Sequence, residues 1–204
     1  MTRFSSLILG TTLATGLLAC GSNATSSKDP VSLVPVDDGV LGWTVDTSIN
    51  TNGQPMTATS EAKAIALIDG AAAPFYRDPF TAKEFVWQNY VNTSLPAAPP
   101  PKGAGLVVYI WEMASADLAG KLYTALLQES EYSGNWQQPT SPPMGTESRI
   151  EDTNTTWLVN FHQDVFYVEV YLSPSYGPAP DYTIGNTDLK AEALRFAQAI
   201  ASKI

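Results

Sequence analysis

One apolar run stands out in the hydrophobic pattern of the chain. Residues 106–111 are continuously apolar, with the sequence Leu-Val-Val-Tyr-Ile-Trp. A run without polar alternation is typical of a strand that is buried on both faces of a sheet. We therefore predict a central strand over these residues. Residues 84–91 and 40–45 also carry β-branched and aromatic residues, and they predict two more strands.

Two apolar segments near the C-terminus lie close enough in sequence to form a hairpin. Residues 157–161 and 165–172 predict strands, and only residues 162–164 connect them. Short connections between strands rich in β-branched and aromatic residues are typical of β-hairpins. The pattern places His162 at the tip of this turn, as a solvated residue.

Three segments have apolar residues at helical spacing, each after a residue suited to begin a helix. Ser60 and Ser115 are the predicted N-cap residues of the first two helices, and Asn186 or Thr187 is that of the third. Pro74 ends or bends the first helix. The apolar positions that share a face are Ile65, Ile68 and Ala72, then Leu118, Leu122 and Leu126, then Leu189, Ala193, Phe196, Ile200 and Ile204. Their spacing predicts three amphipathic helices.

The order of these elements is strand, helix, strand, strand, helix, hairpin and helix. Adjacent strands with helices spaced between them are typical of an α+β domain. A doubly wound parallel sheet would need a more regular alternation of strands and helices. We predict a mostly antiparallel sheet of about five to six strands covered by three helices.

The first residues have the pattern of an export signal. Arg3 supplies a basic start, and the apolar stretch 7–18 is too short and too interrupted to be a permanent transmembrane helix. Residues 17–20, Leu-Leu-Ala-Cys, then resemble the lipobox of bacterial lipoproteins. That resemblance implies cleavage before Cys20 and attachment of a diacylglyceryl group to its thiol. Cys20 is the only cysteine of the chain, so we expect no disulfide within the mature protein.

The chain divides into three predicted parts. Residues 1–19 are the lipoprotein signal peptide. Residues 20–39 carry the lipidated cysteine and a flexible tether, which is small, polar and interrupted by proline. Residues 40–204 form a single globular domain. A length of 204 residues and a hydrophobic fraction of 44% suit one domain with its own core.

The charge balance bears on the partners of the protein. Removal of Arg3 with the signal peptide leaves 10 basic and 20 acidic residues, so the net charge changes from −9 to 10 − 20 = −10. A negative field repels nucleic acid and anionic lipid headgroups. We therefore expect attachment to a membrane of the bacterial cell envelope through the lipid on Cys20. Gly21 and Ser22, in place of a retention aspartate, favour the outer membrane over the inner membrane.

Four short stretches between residues 60 and 172 carry a family resemblance. They are residues 68–72, Phe80 leading into the strand at Phe85, residues 109–115 running into Ala119 and Gly120, and the hairpin from Phe161 to Tyr171. These stretches resemble an uncharacterised family of bacterial envelope proteins, known mainly as a domain of unknown function. The family pattern has Asn in place of Asp69 and Glu in place of Ala73. The resemblance implies a shared fold and an envelope location, and it implies no reaction.

The sequence lacks a complete catalytic constellation. It has no Gly-x-Ser-x-Gly motif, and His162 is its only histidine, which leaves little for a catalytic triad or a Cys/His zinc site. Ser60 and Lys63 match the Ser-x-x-Lys motif of penicillin-recognising enzymes, but the partner motifs Ser-Asp-Asn and Lys-Thr-Gly do not occur. A helix N-cap explains this spacing. We expect no enzymatic activity, no cofactor and no metal site.

Two glutamates leave a hydrolytic alternative open. Glu112 and Glu169 lie on or at the ends of apolar strands, where a carboxyl group can be partly buried. Two carboxyl groups that face one cleft about 5 to 10 Å apart are the usual arrangement of a glycosidase. The alternative function is therefore a small hydrolase that acts on envelope polymers. The simpler interpretation is that each glutamate faces solvent at a strand end or edge.

The remaining candidates are aromatic residues in polar loops. Trp136 lies in a polar stretch after the second predicted helix, and Tyr176 and Tyr182 lie in the loop before the last helix. Aromatic rings at a loop rim are suited to bind a sugar or an apolar ligand. We predict that these three residues line the ligand groove of a non-enzymatic protein. Its partner is an unidentified protein or envelope ligand, or its role is in envelope assembly.

Overall fold

This computed structural model describes residues 28–49, 53–95, 104–128, 134, 136–152, 156–173 and 186–204. These residues form eight strands and three α-helices. The strands are β1 (Thr44–Val45), β2 (Met56–Ala58), β3 (Ala82–Asn92), β4 (Ala104–Met113), β5 (Trp136–Gln137), β6 (Glu147–Asp152), β7 (Trp157–Gln163) and β8 (Phe166–Ser173). The helices are α1 (Glu61–Ile68), α2 (Ala116–Leu126) and α3 (Asn186–Ala201), and two 3-10 segments are Pro30–Leu33 and Asp69–Phe75. Over these ranges, no helix has both the length and the apolar character needed to cross a membrane.

The eight strands form one antiparallel sheet. Its order is β1-β3-β4-β8-β7-β6-β5, and β2 pairs with another part of β3. This arrangement confirms the α+β class and the antiparallel sheet with three helices. The sheet has more strands than the predicted five to six or so, because β2, β5 and β6 are not apparent in the hydrophobic pattern. β2 and β5 are only 3 and 2 residues long, and β6 is mostly charged.

Helices cover both faces of the sheet. On one face, which we call the α3 face, α3 and the N-terminal segment pack on a core that includes Val108 and Val168. On the other face, the α2 face, α1, α2 and the 3-10 segment Asp69–Phe75 pack on a core that includes Trp111 and Tyr167. Alternate residues of one strand point to opposite faces. The same strands therefore contribute to two separate cores.

β4 is the central strand that the apolar run predicts. It pairs with β3 on one side and with β8 on the other. Val108 and Ile110 are buried on the α3 face, and Trp111 is buried on the α2 face. The ring of Trp111 stacks between Phe75 and Phe85, with centroid distances of 3.8 and 4.0 Å. This aromatic stack joins the 3-10 segment Asp69–Phe75 to the sheet.

The C-terminal hairpin, α2 and α3 also follow the prediction, whereas α1 differs from it. This helix ends at Ile68, and Ile65 of its predicted apolar face is exposed while Ala64 is buried. β7 and β8 pair antiparallel along their lengths. Ser115 caps α2, since its Oγ accepts a hydrogen bond from the backbone N–H of Leu118 at 3.3 Å. Ser60 occupies the N-cap position of α1, but its side chain accepts no capping hydrogen bond. Phe196 and Ile200 of α3 are buried against the sheet, as their helical spacing predicts.

The globular domain begins earlier than the predicted residue 40. Leu33 and Val34 are buried in the core of the α3 face. The hydroxyl of Tyr90 in β3 donates a hydrogen bond to the backbone oxygen of Pro35 at 2.7 Å. A flexible tether over residues 20–39 is therefore wrong for this segment. The physical reason is that two adjacent apolar side chains reach the sheet and are buried there.

The predicted strand over residues 40–45 is shorter in the structure. Only Thr44 and Val45 pair with β3. Val40 and Trp43 close a turn, in which the Trp43 N–H donates to the Val40 carbonyl oxygen at 3.0 Å. The indole Nε1 of Trp43 also donates to Glu192 of α3 at 2.7 Å. These apolar residues are buried as anchors of a turn rather than as a strand.

Candidate functional site

A row of polar and aromatic side chains crosses the middle of the α2 face. We call it the cross-strand row, and each of five neighbouring strands contributes one residue. Its members, in spatial order, are Trp87 of β3, Tyr109 of β4, Glu169 of β8, Asn160 of β7 and Arg149 of β6. Residues directly opposite each other in an antiparallel pair have Cβ atoms about 4.5–5.5 Å apart. The row therefore brings three hydrogen-bonding side chains, Glu169, Asn160 and Arg149, together at one end.

These three polar side chains are buried. Arg149 and Asn160 are 0% exposed, and Glu169 is 6% exposed. Arginine, glutamate and asparagine are usually found on the surface, and a buried polar group usually has hydrogen-bond partners. The contacts of each group therefore indicate whether it stabilises the fold or is available to bind a ligand.

The guanidinium group of Arg149 lies over two aromatic rings. Its central carbon lies 4.2 Å from the ring centroid of Tyr123 in α2 and 4.8 Å from that of Trp136 in β5. Nη1 donates a hydrogen bond to the backbone oxygen of Tyr123 at 2.7 Å. These contacts fix the plane of the group, because a guanidinium stacks well on aromatic rings. They also attach α2 and β5 to β6.

The other edge of the guanidinium has no partner. Arg149 Nε and Nη2 are buried and make no hydrogen bond, and neither do Nδ2 and Oδ1 of Asn160. The described residues contain nine such buried side-chain atoms, and these two neighbouring residues account for four of them. An unpaired buried polar group costs about 1–3 kcal/mol, and more when it is charged. Such a concentration of cost in one place is typical of a functional site.

The charge of Arg149 is only partly compensated. Glu147 and Glu151 lie on the same face of β6, but neither forms an ion pair with Arg149. Burial raises the pKa of Glu151, and the charge of Arg149 opposes that rise. Burial also raises the pKa of Tyr123 to about 12, despite the opposing effect of Arg149. The hydroxyl of Tyr123 therefore remains protonated and does not neutralise the guanidinium.

Glu169 lies beside Asn160, on the side away from Arg149. Its Oε1 accepts a hydrogen bond from the hydroxyl of Tyr167 at 3.2 Å, and both residues are buried. Of these three side chains, Arg149 only donates hydrogen bonds, the amide of Asn160 both donates and accepts them, and the ionised Glu169 only accepts them. Donors therefore lie at the Arg149 end and acceptors at the Glu169 end.

The two glutamates of the hydrolytic alternative lie on opposite faces of the sheet. Glu112 is opposite Phe166 of β8, a residue of the α3-face core, whereas Glu169 is opposite Tyr109. Glu112 lies beside Glu84 of β3, and burial, together with the charges of Asp29 and Glu112, raises the pKa of Glu84. The interpretation of Glu112 and Glu169 as a pair in one cleft is wrong. Glu112 lies three positions along β4 from Tyr109, the residue opposite Glu169, and successive residues of a strand point to opposite faces.

His162 is a buried strand residue and not the solvated tip of the hairpin. It belongs to β7 and is 7% exposed, and the turn follows at residues 164–165. A Cβ atom added to Gly120 of α2 would lie 3.3 Å from His162 Cε1, so the glycine allows the imidazole to approach the helix. The ring is 5.3 Å from that of Tyr123, and Nε2 is 3.5 Å from the Glu147 carboxyl group. The imidazole therefore serves the packing of α2 on the sheet.

Of the three residues predicted to line an aromatic groove, only Trp136 lies within the described residues. Trp136 is half-buried on β5, where its ring covers the guanidinium of Arg149. Tyr176 and Tyr182 lie outside the described residues. Sequence reasoning missed Arg149 and Asn160, the two residues with unpaired atoms. The sequence gives only a weak indication of Arg149, which stands between Ser148 and Ile150 in the mostly charged segment of β6.

Among the described residues, no three His, Cys, Asp or Glu side chains come together as a group suited to hold a metal ion. The contacts of Arg149 are a hydrogen bond and two aromatic contacts.

Comparison with known proteins gave no match: no protein family, no curated protein and no solved structure is similar to the chain at a significant level.

Proposed function

We propose that this protein is a non-enzymatic lipoprotein of the bacterial cell envelope, whose α+β domain binds a ligand or partner at the Arg149 end of the cross-strand row. The observation that carries the binding role is the pair Arg149 and Asn160, which are fully buried and keep four polar atoms unpaired. A domain that served only as a scaffold would lose little or no stability with apolar side chains at both positions. Their presence is explained by a molecule that completes their hydrogen bonds.

Binding explains the arrangement better than hydrolysis does. The carboxyl groups of Glu112 and Glu169 lie on opposite faces of the sheet, so they do not form an acid–base pair. His162 packs under α2 beside Gly120. The Arg149 end of the row offers an orienting cation, an amide and a flat aromatic ring. These groups hold a ligand by hydrogen bonds and stacking, and they supply no nucleophile.

Anchoring through Cys20 is supported by the lipobox resemblance of residues 17–20. Lys28, the first described residue, follows Cys20 by 28 − 20 = 8 positions. Eight extended residues span at most about 28 Å, so the domain stays close to the membrane surface. Gly21 and Ser22, in place of a retention aspartate, favour the outer membrane. An acidic chain of net charge −9 has little affinity for anionic headgroups, so lipid provides the attachment.

The anchoring part of the proposal is tested in the producing bacterium. Full-length protein and its Cys20→Ser variant are expressed with a radiolabelled fatty acid, and membranes are separated from soluble fractions. We expect the unchanged protein to be labelled and membrane-bound, and Cys20→Ser to lose the label. Ser22→Ala is the matched control, because it alters the same segment and leaves the thiol. Labelled, membrane-bound Cys20→Ser would contradict the anchor.

The binding part is tested by titration of the full-length protein in detergent. The probes are soluble peptidoglycan fragments, glycans and detergent-extracted envelope lipids, and tryptophan fluorescence reports binding near Trp136. We expect at least one probe class to bind, and Arg149→Met to weaken it at least tenfold. Arg195→Met on the α3 face is the matched control and leaves the affinity unchanged. If no probe class binds, or if the affinity is the same in Arg149→Met, the binding site is not at Arg149.

A further inference from the structure

We propose that the unpaired edge of Arg149 and the amide of Asn160 bind a terminal carboxylate together with the amide N–H next to it, as found at the C-terminus of a peptide. This inference rests on the proposed binding function and specifies the class of its ligand. It follows from the number, the direction and the neighbours of the unpaired atoms.

The guanidinium of Arg149 presents the donors that a carboxylate requires. Nη1 is occupied by the backbone oxygen of Tyr123, and the rings of Tyr123 and Trp136 lie within 4.2 and 4.8 Å of the central carbon of the group. Nε and Nη2, which remain unpaired, form the lateral edge of the group. Their N–H bonds are nearly parallel and match the two oxygens of a carboxylate in a bidentate pair. A single hydroxyl or carbonyl oxygen would satisfy only one of them.

The positive charge of Arg149 favours an anion at this edge, and the neighbouring carboxyl groups of Glu147 and Glu151 oppose it. A buried cation is costly unless it is paired, and among the described residues no acidic side chain forms an ion pair with Arg149. The formal net charge of the whole chain is −9, so the long-range field does not attract anions. Selection therefore depends on short-range contacts at the guanidinium, which favours a compact carboxylate over a polyanion.

Asn160 supplies the second half of the recognition. It lies directly opposite Arg149 in the β6–β7 ladder, with Cβ atoms about 5 Å apart. Its unpaired Nδ2 is a donor for a further lone pair of the carboxylate, and its unpaired Oδ1 is an acceptor for an N–H group. A C-terminal residue carries both complements, because its amide N–H is adjacent to its carboxylate. One such residue would satisfy all four unpaired atoms.

Trp136 is the more exposed of the two rings that cover Arg149, so we expect access to this edge on its side. Tyr123 belongs to α2, and its ring is buried between this helix and the sheet. Trp136 is half-buried and belongs to a strand of only 2 residues at the end of the sheet. β5 is joined to β6 at two register positions, Trp136↔Glu151 and Gln137↔Ile150. Displacement of so short an edge strand is the least costly way to open the site. The indole would then lie against the side chain of the bound residue.

Two sources provide this chemistry in a cell envelope. Protein C-termini end in L-residues, and the stem peptides of peptidoglycan contain D-residues. The carboxylate and the neighbouring N–H are common to both, so the contacts at Arg149 and Asn160 do not select between them. Chirality decides only where the side chain lies relative to Trp136. The test therefore includes both forms.

The experiment is calorimetric titration of the full-length protein in detergent with matched dipeptides. N-acetyl-alanyl-alanine, in its L,L and D,D forms, has both recognised groups. Its C-terminal amide lacks the carboxylate, and the analogue with an N-methylated last residue lacks the N–H. We expect one or both acids to bind, the amide to bind at least tenfold more weakly, and the N-methyl analogue to bind several-fold more weakly. The form that binds more tightly, L,L or D,D, identifies the source.

Variants assign the contacts to the two residues. Arg149→Lys keeps the charge and removes the bidentate edge, so it weakens the acid at least tenfold. Asn160→Leu removes the amide, so it abolishes the difference between the acid and its N-methyl analogue. Arg195→Lys is the matched control on the α3 face and leaves all affinities unchanged. Folding of each variant is checked by its cooperative thermal unfolding, so that a loss of affinity is read only from folded protein.

The outcomes separate this inference from the proposed function. Equal affinity for the acid and the amide would overturn the carboxylate inference. So would the absence of acid binding in a protein that still binds a glycan or lipid probe in an Arg149-dependent way, and in that case the binding function stands. If no probe of any class binds in an Arg149-dependent way, both the inference and the proposed function are overturned.

Discussion

Arg149 and Asn160 lie directly opposite each other on β6 and β7, and each is completely buried with two polar atoms unpaired. The same α2 face contains a well-packed aromatic core around Trp111. Unpaired polar atoms beside such packing lower the stability of the fold. A protein retains this cost where function requires it, so substitutions at these positions should reduce function without a matching loss of stability.

Arg149→Met is the first test of that relationship. The variant loses the hydrogen bond to Tyr123 and the stacking on Trp136, but it also removes a buried cation with two unpaired nitrogens. Replacement of a buried charge by an apolar side chain of similar size is often neutral or stabilising. We expect the free energy of unfolding, measured in urea, to change by less than about 1 kcal/mol. A loss of more than about 3 kcal/mol would make Arg149 a structural residue.

Asn160→Leu should stabilise the protein. The side chain of Asn160 makes no hydrogen bond, and leucine has a similar size without the desolvation cost of an amide. We expect an increase of about 1 kcal/mol in the free energy of unfolding. The matched control is Asn92→Leu, because the Oδ1 atom of Asn92 accepts a hydrogen bond from the Ser94 N–H at 2.9 Å. The control should be less stable than the unchanged protein, and the same effect for both variants would contradict the account.

Much of the fold was predictable because its strongest elements are visible in the local sequence. The apolar run at residues 106–111 is the centre of β4, and the hairpin of β7 and β8 appears in two apolar segments. Leu33 and Val34 were harder to place, because two apolar residues in a polar stretch do not show a period. They are buried by contact with distant strands, and that tertiary contact leaves no local signal.

The site was not predictable in the same way. Arg149 lies in a segment whose sequence, Glu-Ser-Arg-Ile-Glu-Asp, is typical of a solvated strand or loop. It is buried because Tyr123 of α2 and Trp136 of β5 cover it, and both come from elsewhere in the chain. The prediction that Trp136 belongs to a ligand site stays a prediction. The structure adds that its ring lies on Arg149, which the sequence does not reveal.

The pH dependence of stability should contain a contribution from His162. Burial lowers the pKa of its imidazole, and Glu147 offsets part of that effect. The unfolded chain titrates near pH ~6.5, so between that value and the lowered pKa the unfolded state binds more protons. Stability from this group is therefore fully present above about pH 6.5 and is lost as the pH falls through the lowered pKa.

His162→Gln removes this titration and keeps a polar side chain of comparable length. We expect the difference in the free energy of unfolding between the two proteins to be constant above about pH 6.5. Below that value the unchanged protein should lose stability more steeply than the variant. Urea unfolding at a series of pH values provides the measurement. Parallel curves across the acidic range would show that the imidazole is not desolvated in the fold.

The assignment of β4 as the central strand is tested by Val108→Asp. Val108 is 0% exposed on the α3 face, where an aspartate would be a buried charge without a partner. We expect a loss of about 4 kcal/mol or more, which abolishes cooperative thermal unfolding. Val36→Asp is the matched control, because Val36 is 72% exposed and tolerates a charge. A soluble Val108→Asp variant that unfolds cooperatively would contradict the position of this strand.

If the lateral edge of Arg149 receives a ligand carboxylate, as we propose, the Nε–H resonance of Arg149 should report its binding. This N–H is buried and unpaired in the free protein, so it should give a distinct signal in a proton–nitrogen correlation spectrum. On titration with N-acetyl-alanyl-alanine we expect a saturable downfield shift, because a charge-assisted hydrogen bond forms. The resonance of Arg195 should stay unchanged, and the dipeptide amide at the same concentration should shift the Arg149 resonance much less. An Arg149 signal that does not move when the acid binds, or that moves equally with the amide, would contradict the claim.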